Sequence, residues 1–233
     1  MRDENYNKMN ADTLKKITTG FTPVIDSSIP KDKYYPLDLS ANNLQLNTLD
    51  VSSSSAMETY IHKLLKSNNA RVAYGGYLEK RNIYKRSTHF NKQDALEERN
   101  IHLGIGLWIE AETEILAVLD GKIHSFQDNT NFGDYGPTII LGHNYNQETF
   151  YTLYGHLSRA SLKGLYLGKE VKQGEVIARL GKAEVNGDYA PHLHFQVILD
   201  IANFKGDYPG VCSSKDVDFY SKNCPDPNIL LNL

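Results

Sequence analysis

Along this chain the spacing of the apolar positions changes character near residue 70. Before it, residues 1 to about 55 carry scattered hydrophobics (Ile17, Phe21, Val24, Ile25, Leu37, Leu39) among Asn, Asp, Ser and Lys, without a sustained period. That pattern predicts an arm that wraps a larger body, with one short helix near Ala11 to Ile17. Ser53-Ser54-Ser55 then offers a helix N-cap, and Met57, Tyr60, Ile61, Leu64 and Leu65 recur on one helical face up to Asn68-Asn69, with His62 on the outer side. From Ala70 the period becomes that of strands: Arg71 to Tyr74, a Gly75-Gly76 turn, Tyr77 to Glu79, and Ile83-Tyr84. A short helical piece is expected around Gln93 to Arg99. After it come strands at His102 to Ile109, Glu114 to Val118, Gly121 to Asp128, Thr138 to His143, Thr149 to Leu157, Val176 to Lys182 and His192 to Leu199, separated by Gly, Asn and Asp turns. No long helical period interrupts them. The expected fold is therefore mainly β, an antiparallel sandwich or barrel-like domain over residues 71–233, preceded by a partly helical arm over residues 1–70. Tyr208-Pro209-Gly210 and Pro225-Asp226-Pro227 mark a loop-rich tail, and Ile229-Leu230-Leu231 gives that tail something to bury.

Composition narrows the partners. A chain of 233 residues with 40% hydrophobic content can bury a sizeable core, and a formal charge of -3 with both signs mixed along the chain gives no nucleic-acid footprint and no polybasic membrane patch. The longest apolar runs, such as Thr138 to Leu141, are of strand length and far short of a transmembrane segment. The N-terminus is polar and acidic, with no apolar stretch ahead of a small-residue cleavage site, so a cytoplasmic location is expected; the alternative is an exported protein whose signal is absent from this sequence. The two cysteines, Cys212 and Cys224, are spaced so that a disulfide is permitted but not demanded, and idle thiols are the expectation in a reducing compartment.

The stretch that carries chemistry is Pro191-His192-Leu193-His194-Phe195. Two histidines one residue apart on a strand face the same side, while Leu193 and Phe195 face the core. Such a pair suits a metal site or an acid–base site on a rigid sheet, and equally a pair of hydrogen-bonded structural histidines. Two more histidines sit where strands meet glycine-rich or polar sequence: His102 in His102-Leu103-Gly104-Ile105-Gly106, and His156 in Tyr154-Gly155-His156-Leu157-Ser158. Neutral imidazole is the commonest Zn²⁺ ligand, and an unligated histidine is an acid or base near neutral pH. His89, His124 and His143 read as surface or hydrogen-bonded core residues, and most of the tyrosines as packing, with Tyr135, Tyr151, Tyr154 and Tyr189 as candidates to line a groove.

In order and context these elements resemble the lysostaphin- and LytM-like zinc metallopeptidases, peptidase family M23. That family has an early His-x-x-x-Asp, a middle His-Leu and a late His-x-His around Asp-Gly and Val-x-x-Gly-x hairpin phrases, as in Leu119-Asp120-Gly121 and Val171-Lys172-Gln173-Gly174 here. The resemblance spans about Ile101 to Leu199. It implies that His102 and His194 are ligands of Zn²⁺, that His156 and His192 are the catalytic pair, and that the activity is hydrolysis of peptide bonds in peptidoglycan or a related peptide.

One ligand is missing from the pattern: the family's aspartate falls on Gly106. Two histidines alone leave zinc with a charge near +2 and open positions, so weakened metal affinity is expected. Glu110, with the right parity but about 13 Å farther along a strand, and Asp134, in the Asn131 to Gly136 loop, are the candidate substitutes. Two functions follow: a zinc-dependent endopeptidase, weakened by Gly106, or a degenerate M23-like domain that binds a peptide, a wall fragment or a protein partner without cutting it. A biotinyl- or lipoyl-carrier domain also uses Gly-turn hairpins, but it needs an exposed tip lysine flanked by Met or similar residues and has no use for four histidines.

Overall fold

Residues 9–86 and 96–233 are described by a computed structural model, and the chain enters its fold through the arm. α1 (Ala11–Leu14) is capped by Asn10, whose side chain accepts from Thr13 N at 2.9 Å. Residues 24–26 then lie along a later strand, residues 114–116, and β1 (Tyr34–Pro36) follows. α2 (Ser54–Ser67) is capped by Ser53, whose hydroxyl accepts from Ala56 N at 3.2 Å, and it buries Met57, Ile61 and Leu65, the face expected from their spacing. β2 (Val72–Gly75) opens the β region, and Tyr77 to Glu79, expected as a strand, is instead a turn running beside the next one.

The remaining strands are β3 (Arg99–His102), β4 (Ile105–Trp108), β5 (Glu114–Leu116), β6 (Gly121–Asn129), β7 (Gly136–Tyr145), β8 (Glu148–Gly155), β9 (Glu170–Val171), β10 (Val176–Arg179), β11 (His192–Ile198) and β12 (Val211–Ser213). Eight of the strands form one sheet in the order β1-β2-β4-β11-β8-β7-β6-β9, and β5/β10 and β3/β12 are two-stranded additions. Every pairing in the large sheet is antiparallel except β1 with β2. The sheet ends on β1 and β9, so the barrel-like expectation gives way to an open, mainly antiparallel sheet. The tail is more ordered than expected: β12 pairs with β3, and α3 (Val217–Asn223) and α4 (Asn228–Leu231) follow it.

The single strand expected over His102 to Ile109 is two strands in different sheets, broken at Leu103-Gly104. The break has a steric cause. A Cβ on Gly104 would stand 2.7 Å from His194 Nε2 and 2.7 Å from Phe195 O, so the chain passes β11 more closely than any side chain allows.

β11 is buried along its whole length. Leu193, Phe195 and Val197 point into the main core with Ile105, Leu107, Ile139, Leu141 and the arm residues Leu14, Ile25 and Ile29. His192, His194 and Gln196 therefore point to the opposite face. There α2 and Leu37 and Leu39 of the arm close over Ala73 and Trp108 in a second, smaller core. His89 and residues 93–95 of the expected helical piece lie outside the described residues, and residues 96–98 are turn and coil.

Candidate functional site

The register of the sheet sets the site. His194 stands opposite Gly106 on one side and Gly155 on the other, and His192 stands opposite Trp108. His102 ends β3 and His156 follows β8, so all four candidate histidines converge at one end of β11, each at most 6% exposed. They border a cavity of about 260 Å³ that Tyr135, Tyr189, Arg81 and Trp108 also line.

Hydrogen bonds fix the ring nitrogens. His102 Nδ1–H donates to Gly76 O at 3.0 Å, and its Nε2 faces His194 Nδ1 at 2.9 Å. Gln196 Nε2 donates to Pro209 O at 3.1 Å, which turns Gln196 Oε1 toward His194 Nε2 at 2.8 Å, and this nitrogen accordingly carries the hydrogen. Both outer nitrogens thus donate to carbonyl oxygens, and both inner nitrogens face each other. On the other side of the site, His156 Nδ1–H donates to Asn186 O and His192 Nδ1–H donates to Ala190 O, each at 2.8 Å, which leaves the lone pairs on Nε2. These two rings lie 4.3 Å apart between centroids. His156 holds a left-handed backbone, φ 64°, with its N–H donating to Tyr135 O at 2.9 Å, a conformation that stores strain at a non-glycine residue.

The site disfavours extra protons. Burial, with the Arg81 charge acting in the same direction and the Gln196 hydrogen bond opposing, takes His194 down to about 4. Burial and then Arg81 hold His102 well below the ordinary imidazole range. Burial pushes the Tyr135 hydroxyl well above the usual phenol value.

The expected substitute ligands do not join the histidines. Glu110 is exposed beyond the end of β4. Asp134 borders the cavity, but its carboxylate accepts from Tyr135 N at 2.8 Å and from Asn131 Nδ2 at 3.3 Å. Among the described residues no group of three His, Cys, Asp or Glu side chains can hold a metal ion. His124 is half-buried against Tyr151, Tyr154 is buried in the main core, and His143 is buried and hydrogen-bonded away from the site.

Position 106 itself is occupied from outside. A Cβ built there would fall 2.3, 2.7 and 2.8 Å from three carbons of the Trp108 indole, which folds back along β4 over Gly106. The same indole stacks on His192 at 5.1 Å with 12° between planes, and the Arg81 guanidinium carbon lies 5.5 Å from its centroid. Neither Trp108 nor Arg81 was expected from the motif, although Trp108, two residues past Gly106, shares its strand face. Gly106→Ala is expected to destabilise the protein by about 1–3 kcal/mol through overpacking, read by urea unfolding; an unchanged midpoint would show that the indole yields freely.

The donor set can now be tested against zinc. His102 and His194 fit: the outer nitrogens are anchored to carbonyl oxygens, as metal-bound imidazoles are. Bonds of about 2.0–2.1 Å at a tetrahedral angle would put the inner nitrogens roughly 3.3 Å apart, so the rings would have to part slightly. The third protein ligand of a catalytic zinc does not fit, because an indole fills its place.

The chain resembles in structure the catalytic domain of the antimicrobial peptidase lysostaphin from Staphylococcus simulans, at 21% identity over 59% of this chain and 97% of that one, TM-score 0.37. It also resembles a putative peptidase M23 from Pseudomonas aeruginosa, at 19% identity over 60% of this chain and 52% of that one, TM-score 0.37, and so spans about half of that structure. A chain of the SpoIIIAH and SpoIIQ complex matches at 20% identity over 56% of this chain and 86% of that one, TM-score 0.39. No curated protein matches the chain. The segment that holds His102, His156, His192 and His194, residues 100–205, matches the model of the family described as peptidase family M23.

Proposed function

We propose that this M23 domain binds a peptide-like ligand in the histidine-lined cleft and does not hydrolyse it through zinc. The observation that supports this reading is the Trp108 indole lying over Gly106, directly across from His194, where a carboxylate ligand would need to stand. A largely apolar cavity edged by tyrosine hydroxyls and neutral imidazoles suits a peptide, whose backbone offers both donors and acceptors.

A second reading, a weakened zinc peptidase acting on peptidoglycan or a related peptide, is favoured by the anchored outer nitrogens of His102 and His194 and by the paired His156 and His192. Under it His102 and His194 would hold the metal, which supplies a polarised carbonyl and an activated water. His156 and His192 would then accept and return protons through Nε2 and steady the oxyanion.

Elemental analysis of protein purified without chelator separates the two. The first reading expects far less than one zinc per chain. It also expects short glycine-rich or D-alanine-containing peptides to change the emission of Trp108, the chain's only tryptophan, and to be recovered uncut by mass spectrometry. One zinc per chain, lost on His102→Ala or His194→Ala, together with cleaved peptide, would establish the second reading instead.

A further inference from the structure

We infer that Arg81 and Trp108 together take over the space and the charge of the metal centre, so that the site is shut to divalent cations by three residues and not by the missing aspartate alone. The inference rests on the non-hydrolytic reading above and says what maintains it.

The steric part comes from Trp108. Its indole is not a side chain free to swing aside: it is 4% exposed, stacked on His192, and packed in the small core with Met57, Ile61 and Leu65 of α2. An aspartate introduced at 106 meets the ring at its Cβ, before its carboxylate has reached anything. Making room means moving α2 or rebuilding the second core, and closely packed interiors resist that.

The electrostatic part comes from Arg81. The segment from Gly76 to Arg81 is laced to β3 by Leu78 N–H to His102 O at 2.9 Å, His102 N–H to Glu79 O at 3.0 Å and Arg81 N–H to Asn100 O at 2.9 Å. This brings a buried guanidinium behind His102, so close that a Cβ on Gly76 would overlap its Nη2, and Gly76 O is the acceptor for His102 Nδ1. Arg81 donates through Nε to Glu79 Oε2, while Glu79 Oε1 accepts from Leu39 N at 2.9 Å. Nη2 is buried without a hydrogen-bond partner. The Arg81–Glu79 pair is neutral overall, but its guanidinium lies nearer Gly76 than the carboxylate does, and in this low-dielectric corner that cationic end opposes a second cation between the two histidines.

Zinc dissociation constants, measured by competition with a chromophoric chelator on correctly folded variants, test this. Gly106→Asp alone is expected to stay within about tenfold of the unsubstituted chain. Gly106→Asp with Trp108→Leu is expected to bind about 100-fold more tightly, the upper range for restoring a metal environment. Adding Arg81→Met with Glu79→Gln should improve affinity about tenfold further. Trp108→Phe in the Gly106→Asp background keeps an aromatic in the second core and should give an intermediate gain, should the leucine variant not fold. A 100-fold gain from Gly106→Asp alone, or no gain in any variant, overturns the inference while leaving the non-hydrolytic reading standing. No effect of neutralising Arg81 removes the charge half and with it the three-residue closure. Stoichiometric zinc in the unsubstituted chain defeats the non-hydrolytic reading first.

Discussion

Arg81→Met lowers the unfolding free energy by about 3–5 kcal/mol, because it strands the Glu79 carboxylate in a site where Arg81 is 4% and Glu79 12% exposed. Burial weakens the guanidinium's hold on its proton, and Tyr84 and Glu79 more than restore it. The informative variant is the pair. Arg81→Met with Glu79→Gln leaves an amide that can still accept from Leu39 N, and replacing both members of a buried ion pair is often neutral or stabilising. Most of the loss should therefore return in the double variant, measured by urea unfolding at neutral pH. A single-variant loss below about 1 kcal/mol would place the pair among ordinary surface bridges.

The protein is expected to lose stability in mild acid, with His143 accounting for a large part of the loss. This ring is buried where β7 meets β6, donating from Nδ1 to Asp120 O at 2.8 Å and accepting at Nε2 from the Thr152 hydroxyl at 2.7 Å. Burial lowers it to about 4, against an opposing contribution from Asp120, whose own carboxylate is paired with Lys172. A histidine with a depressed folded value binds its proton more readily in the unfolded chain. Its contribution is therefore fully present above about pH 6.5 and is lost as pH falls toward 4. A shift from 6.5 to about 4 corresponds to about 3 kcal/mol at most. Urea midpoints measured between those pH values should fall accordingly, and His143→Gln should flatten the acid limb by a similar amount. An acid limb identical in that variant would assign the effect elsewhere, with His102 and His194 the next groups of the same sign.

β6 was legible because its residues alternate between a buried and a less buried face, as at Ile123 and Ser125. β7 and β11, buried on both faces, were legible as short apolar runs bounded by turn residues. The α2 helix was legible from its cap and its stripe. The break between β3 and β4 was hidden, since Leu103-Gly104 continues an apolar run and only the approach of β11 shows that no side chain fits there. The strand and helices of the tail were missed because each is short and leans on partners far away in sequence, β12 on β3 most plainly. At the site, the four histidines could be found from their order alone. The residues that decide what they can hold could not: Trp108 acts through a neighbour with no side chain, and Arg81 lies 21 residues before His102, outside the motif, and reaches it only through the turn at 76–81.

The arm and the tail meet directly. Thr18 Oγ1–H donates to Leu230 O at 2.9 Å, Asn232 Nδ2–H donates to Gly20 O at 3.0 Å, and Thr22 N–H donates to Leu231 O at 3.0 Å, joining residues more than 200 positions apart. A ribosome must therefore release almost the whole of this sequence before its first ordered turns find their partners. Until then Leu14, Ile25 and Ile29, which complete the main core, have only part of their packing surface to settle against. Loop closure over such a span is entropically slow to reward, so the seam between arm and tail forms late, after the central sheet it encloses.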